Sequence, residues 1–371
     1  MSKLKFNIIK TKWNARAWTI KLNWVKLNTP VFMPVWTKAT IKWIILDLLQ
    51  NKDFLGTENP INLILANTFH LYLRPGDEIV KKAWWLHKFE TRDKLILTDS
   101  WWFQVFSLWL WNKNKSLVKL QEDGVWFQSP IDWSRHFFSP SKVVDTQLNL
   151  GSDIMMVLDV CSPIADITKK KVAEQMQTTH NWAKMAFDYF GEKYENTKSV
   201  LFPIVQWWIH KDLREESISF LKQYAIDGIA VWWLSVWETN EEMYDILNFI
   251  SDKLPVDKPR YLMWVGTIKD IREAVMNGID MFDCVLPTRL GRHWTAFYKD
   301  GYIKLKNSQY KDDFSPLTDD CPCFVCKNYT KSYLAHLIRE NEMLGWMLLS
   351  YHNIVYLHNY VEKLRKEILE S

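Results

Sequence analysis

Short apolar runs recur along the chain, each closed by a polar residue and followed by a stretch whose apolar positions have helical spacing. Leu63-Ile64-Leu65-Ala66 runs into Asn67, Leu95-Ile96-Leu97 leads to Asp99, and Ile154 to Leu158 leads to Asp159. The alternation continues with Val200 to Val205 before Gln206, Ile229 to Val231 before Trp232, Tyr261 to Met263 before Trp264, and Ile279 to Phe282 before Asp283. Between them, Lys171 to Phe190, Lys211 to Tyr224, Glu241 to Ile250 and Ile268 to Met276 are amphipathic. This alternation predicts a parallel sheet, and the chain length suits a (β/α)8 TIM-type barrel. In that fold the reactive groups project from the C-terminal ends of different strands, which is where these polar residues fall. A doubly wound open sheet is the alternative, but no Gly-x-Gly-x-x-Gly loop supports it.

After about Lys306 the pattern changes to a cysteine cluster and two predicted helices, Lys331 to Leu344 and Asn353 to Leu369. Residues 1–306 therefore read as the catalytic barrel, and residues 307–371 as a metal-bearing subdomain with closing helices. With no internal repeat, low-complexity tract or long Pro/Ser linker, the two parts are expected to form one rigid body.

The chain has 371 residues, 48% of them hydrophobic and 24% charged, enough to bury a barrel-sized core. Its formal charge of +4 is mildly basic, so any nucleic-acid contact must come from a local patch. The N-terminus lacks an apolar signal-like stretch and no apolar run approaches the ~20 residues of a membrane span, which predicts a cytoplasmic protein with no membrane partner.

Tryptophan changes the picture more than charge does. There are 22 tryptophans and 11 glycines, whereas average usage would give a chain this long roughly 26 glycines. Several tryptophans are adjacent: Trp84-Trp85, Trp101-Trp102, Trp207-Trp208 and Trp232-Trp233. Neighbouring strand side chains point to opposite faces, so pairs fit poorly in one core or stacking surface. Overpacking costs about 1–3 kcal/mol per site, and some twenty such insertions would exceed a domain's stability of ~5–15 kcal/mol. The pattern reads as a codon decoded as glycine in the source, most simply a reassigned UGA, and printed as tryptophan. Trp182, in the helical run Asn181 to Lys184, looks like an ordinary tryptophan.

Three of the five cysteines, Cys321, Cys323 and Cys326, fall in one tight loop. In a reducing compartment such clustering points to a metal rather than disulfides. His352 supplies a fourth ligand for a tetrahedral zinc site, with His336 as the competing ligand. Four protein ligands leave no position open for water, so the zinc is expected to staple the subdomain rather than catalyse.

Asp283 lies in Gly278-Ile279-Asp280-Met281-Phe282-Asp283-Cys284-Val285-Leu286-Pro287-Thr288-Arg289, followed by Leu290-Gly291-Arg292. At a strand's end beside a turn, it could be a nucleophile. Here the sequence resembles the tRNA-guanine transglycosylases, or queuine tRNA-ribosyltransferases, of bacterial type. Thr29-Pro30-Val31-Phe32-Met33-Pro34-Val35-Trp36-Thr37, Leu97-Thr98-Asp99-Ser100-Trp101-Trp102-Phe103-Gln104 and Phe127-Gln128-Ser129-Pro130-Ile131-Asp132 match in order. Gly151-Ser152-Asp153, Val205-Gln206-Trp207-Trp208, the Asp283 segment and the zinc ligands complete the match, which runs essentially end to end.

The resemblance implies a zinc-bearing (β/α)8 barrel that exchanges guanine at the tRNA wobble position for a 7-deazaguanine, in queuosine biosynthesis. Asp283 would attack the ribose C1′ to give a covalent enzyme-RNA intermediate, and Asp99 would be the general acid/base. Asp159 and Gln206 would read the guanine edge with backbone groups at Trp233 and Leu234, while Phe103 and Met263 sandwich the ring. Arg289 and Arg292 would grip the tRNA around the target. Cys161 and Val236 resemble the form that takes preQ1, and the family implies a homodimer. A non-catalytic tRNA-binding partner of the same fold is the alternative, and a carbohydrate-active barrel using Asp99 and Asp283 a more distant one. Where the family has Gly-Gly beside Asp99, Gln206 and Leu234, this chain has tryptophan pairs, whose indoles would fill the base pocket.

Overall fold

The computed structural model describes residues 3–91, 93–100, 118–160, 168–232, 239–299 and 301–371. An antiparallel sheet of β1 (Lys5–Lys12), β2 (Ala15–Leu22) and β3 (Val25–Thr29) leads into the barrel strands β4 (Val31–Trp36), β5 (Leu63–Ala66) and β6 (Leu95–Thr98). A second antiparallel sheet, β7 (Val118–Gln121), β8 (Gly124–Gln128) and β9 (Arg135–Phe138), is inserted before the barrel resumes with β10 (Ile154–Met156). Then come β11 (Val200–Phe202), β12 (Ile204–Val205), β13 (Ile229–Val231), β14 (Arg260–Leu262) and β15 (Met281–Cys284), and a hairpin of β16 (Thr295–Tyr298) and β17 (Gly301–Lys304) follows.

The large sheet runs β11-β10-β6-β5-β4-β15-β14-β13-β12, and its neighbours are all parallel. Its two ends are one chain segment interrupted at Pro203, where a residue without an N–H cannot continue the ladder. Phe202 O accepts from Val157 N on one side, at 3.1 Å, and Pro203 O accepts from Ala230 N on the other, at 2.9 Å. Counting β11 and β12 as one strand, the sheet closes into an eight-stranded barrel as the sequence predicts. Because both faces of such a strand are covered, Leu63–Ala66, Leu95–Thr98 and Ile229–Val231 are buried at every position, which is why they read as unbroken apolar runs.

The connecting helices start at side-chain caps. Ser139, Thr168, Thr239 and Thr267 each accept a backbone N–H of the first turn, and Thr239 forms a capping box with Glu242. The observed helices Lys169–Lys193, Lys211–Leu221, Asn240–Ser251 and Ile268–Met276 follow the amphipathic stretches closely.

Two boundaries differ from expectation. The last barrel strand is Met281–Cys284 rather than Ile279 to Phe282, which places Asp283 within the strand. At the C-terminus, one helix ends at Arg339, Asn341 takes a left-handed φ of 58°, and the final helix spans Met343–Leu369. It therefore starts ten residues before Asn353, and His352 lies inside it. Met343, Leu344, Trp346, Met347, Leu348, Leu349 and Tyr351 make its first turns apolar nearly all round, so no amphipathic stripe announces them. This helix joins both apolar clusters: Leu357, Val361, Leu364 and Ile368 pack into the barrel core, whereas Ile354 and Val355 pack with Cys321, Cys323 and Leu334.

The bottom of the barrel is tied to the N-terminal sheet by a buried ion pair. Arg16, on β2, meets Asp280 just before β15, with side chains 4% and 0% exposed. Arg16 also donates to Val256 O at 2.9 Å and Lys258 O at 3.0 Å, while Asp280 accepts from Arg260 N at 2.8 Å. Removing one partner strands the other charge out of water, so Asp280→Ala should cost about 3–5 kcal/mol of unfolding free energy in urea titration. A loss well under about 1 kcal/mol would show that the pair does not hold the two sheets together.

Candidate active site and metal centre

Four of the polar residues that close the apolar runs converge at the C-terminal mouth of the barrel. Asp99 follows β6, Asp159 lies past the end of β10, Gln206 follows β12, and Asp283 lies in β15. Asp159, Gln206 and Asp283 are buried, at 1% exposure or less, and Asp99 is half-buried; each carboxylate has a distinct set of partners.

Asp99 accepts from Asn67 Nδ2 at 2.6 Å and Thr68 N at 3.0 Å, while Thr68 Oγ1 donates to its carbonyl at 2.7 Å. Burial pushes its carboxyl up to about 7; the two hydrogen bonds oppose the shift, and the charges of Asp283 and Asp159 add to it. Asp159 accepts from Ser100 Oγ at 2.7 Å and from Gln206 Nε2, and burial pushes it up to about 7. Gln206 Oε1 is buried with no hydrogen-bond partner among the described residues. An acceptor held dry beside a carboxylate suits a ligand edge that brings N–H donors.

Asp283 Oδ1 accepts from Tyr261 Oη at 2.7 Å and from Trp264 N at 2.9 Å. Burial again raises its carboxyl, to about 6, with these two bonds pulling it down. Tyr261 is fully buried against Asp283, which drives its hydroxyl well above its ordinary range, so it stays a donor. The neighbouring Cys284 thiol is pushed by burial up to about 12, which leaves the carboxylate as the better nucleophile at neutral pH.

Arg289 and Arg292 sit in the last turn of the helix Leu286–Arg292 that leaves β15, with Arg289 exposed and Arg292 half-buried. Burial, then Arg292 and Lys38, hold the Lys42 ammonium below its usual range. His70 is held down to about 4 by burial, Lys38 and Lys42. The strand-end loop after β4 and the helix after β15 therefore share one cationic rim at the C-terminal end of the barrel. Sequence reasoning missed Lys38 and Lys42, which lie in a loop without periodicity. It also missed Tyr261, which reads as core inside an apolar run, and took Asn67 only as a strand terminator.

Met263 is buried at the end of β14, its N–H donating to Val231 O at 3.1 Å. Phe103, Trp233 and Leu234, with Trp101, Trp102, Cys161 and Val236, lie outside the described residues.

The ligand atoms of Cys321, Cys323, Cys326 and His352 lie within 4.8 Å of one another, so this group could bind a metal ion. His352 Nδ1 is 3.3 Å from Cys326 Sγ and 3.6 Å from Cys323 Sγ. Its Nε2 is 3.0 Å from Phe297 O, and donation to that carbonyl leaves the Nδ1 lone pair facing the thiols. His336 is not part of the group. The donor set, three sulfurs and one imidazole in a dry site, suits a closed tetrahedral metal centre. Among the described residues no helix is long and apolar enough to cross a membrane.

A family model described as queuine tRNA-ribosyltransferase matches residues 11–371. Proteins named queuine tRNA-ribosyltransferase from Caldanaerobacter subterraneus subsp. tengcongensis and Francisella tularensis subsp. novicida are each 45% identical to the chain over its full length, covering 95% and 96% of those proteins. One from Halothermothrix orenii is 42% identical over 99% of the chain and 94% of its own length. With the closed barrel, the carboxylates at its mouth and the Cys3His group in place, the chain belongs to the queuine tRNA-ribosyltransferase family.

Proposed function

We propose that this protein is a tRNA-guanine transglycosylase that replaces guanine at the anticodon wobble position with preQ1, through a covalent Asp283-ribose intermediate. The observation that carries this reading is the division of labour among three carboxylates, two buried and one half-buried, at one barrel mouth. Asp283 is mostly ionised at neutral pH and clamped on one oxygen by Tyr261 and Trp264 N. Asp99 is poised near 7, where a group can both give and take a proton. Asp159 is paired with Gln206, whose free acceptor would meet the purine edge.

In the first half-reaction an Asp283 carboxylate oxygen bonds to C1′ as the bond from C1′ to guanine N9 breaks, and Asp99 delivers a proton to the departing base. In the second, Asp99 accepts the N9 proton of the incoming base, whose nitrogen attacks C1′ and releases the Asp283 carboxylate. Charge and atoms balance, and Asp99 ends as it began. Phe103 and Met263 would sandwich the ring, and backbone groups at Trp233 and Leu234 would complete the base site. Arg289 and Arg292, with Lys38 and Lys42, would hold the RNA phosphates. The assignment of preQ1 rests on Cys161 and Val236. A non-catalytic partner would have no use for Asp99, Asp159, Gln206 and Asp283 together.

Cys321, Cys323, Cys326 and His352 would hold zinc as a staple for a subdomain of residues 307–371, with no coordination position left for chemistry. The functional unit would be a cytoplasmic homodimer acting on tRNA.

Asp283→Ala should reduce incorporation of labelled guanine into tRNA to background, and full exchange by this variant would remove the nucleophile. In single-turnover guanine release, the rate should rise as pH passes about 6, where Asp283 ionises, and fall above about 7, where Asp99 loses its proton. Tyr261→Phe deletes a bond that favours the charged carboxylate, so the acid limb should move to higher pH. An unmoved limb would mean that Tyr261 does not set the ionisation of Asp283. Removing zinc with a chelator should lower the melting temperature and loosen the C-terminal helices, and an unchanged melting curve would count against a structural metal.

A further inference from the structure

The backbone distinguishes among the tryptophans in a way that the sequence cannot. Among the described residues, fourteen non-glycine positions have positive φ, and random placement of this chain's tryptophans would put about one of them there. Nine are tryptophan: Trp13, Trp43, Trp84, Trp85, Trp133, Trp207, Trp208, Trp264 and Trp294. Glycine enters this region as readily as the ordinary one, whereas a bulky side chain there is an outlier.

Several of these sites also have a glycine's job. Trp84, at φ 63°, stands just past the helix Asp77–Lys82 and its cap residue Ala83, with its N–H donating to Lys81 O at 3.1 Å. This is the position where helices most often end on glycine. Trp85, at φ 70°, lies so close to Gly151 that a Cβ on that glycine would sit 2.3 Å from the Trp85 Cβ. Trp207 and Trp208 follow Gln206 at φ 91° and 48°, the first outside even the left-handed helical well. Both bury an indole N–H with no hydrogen-bond partner among the described residues, as does Trp294. Trp264, at φ 68°, uses its bare amide to hold Asp283.

Trp182 is the contrast. It lies inside the helix Lys169–Lys193, fully buried, and its indole N–H donates to Glu122 O at 2.8 Å. Here the indole itself is used, and glycine would leave a cavity and an unmet carbonyl.

We propose that the nine left-handed positions are glycine in the protein its host makes, one codon being read there as glycine, and that Trp182 is a true tryptophan specified by a different codon. Glycine at positions 207, 208 and 264 then leaves bare backbone beside Gln206 and Asp283. The residue assignment stands independently of the proposed base exchange, while its consequence for the site rests on that reading.

The test begins with peptide mass spectrometry of the protein isolated from its natural host. Peptides covering residues 207–208 and 264 should carry glycine and the peptide covering residue 182 tryptophan; indoles at 207, 208 and 264 would overturn the proposal. A second arm compares two recombinant chains, one as printed and one with glycine at all nine positions. The glycine chain should melt at a higher temperature, and adding Trp182→Gly should lower its melting temperature. Equal melting of the two chains, or stabilisation by Trp182→Gly, would overturn the proposal. If native peptides carry glycine but the enzyme isolated from the host exchanges no guanine, the residue assignment stands and the base-exchange reading fails.

Discussion

Gathering three carboxylates in one barrel mouth, two of them buried and the third half-buried, is the constraint on which the rest of the structure depends. Desolvation raises all three, and only directed hydrogen bonds keep any of them ionisable near neutral pH. The bonds come from four strand ends: Asn67 and Thr68 after β5 serve Asp99, Ser100 after β6 and Gln206 after β12 serve Asp159, and Tyr261 and Trp264 N at β14 serve Asp283. The closed sheet is what brings these donors within reach. Its closure in turn depends on the strand broken at Pro203, and its floor is held against β2 by Arg16 and Asp280.

The raised carboxyls have an energetic sign. A carboxyl whose folded value lies above its unfolded one favours the fold below about pH 4, and that contribution is lost as pH rises through about 6 to 7. At neutral pH the site therefore subtracts from stability, which the barrel core and the second cluster around the Cys3His group must offset. Sites of chemistry are where such costs are expected.

Much of this was legible in the letters. Barrel strands covered on both faces read as short unbroken apolar runs, and the residue ending each run is the one presented at the mouth, so Asp99, Asp159 and Gln206 could be picked out before any coordinates. Asp283 was found too, although the strand extends past it. What escaped notice did so for physical reasons. Tyr261 sits inside an apolar run and shows its hydroxyl only when β14 is set beside β15. Lys38 and Lys42 join the cationic rim through loop geometry. The first turns of the last helix are apolar nearly all round, so they carry no periodic signal, and β1 to β3 pair among themselves without a turn motif to announce them.

The decisive quantity is the identity of the atom bonded to RNA during turnover. Enzyme and a wobble-guanine tRNA, mixed without a replacement base and quenched by denaturation, should yield a protein-RNA adduct, and peptide mapping should place the ribose on Asp283. An adduct on any other residue, or active exchange with no adduct on the timescale of turnover, would contradict the account of a buried carboxylate acting as nucleophile.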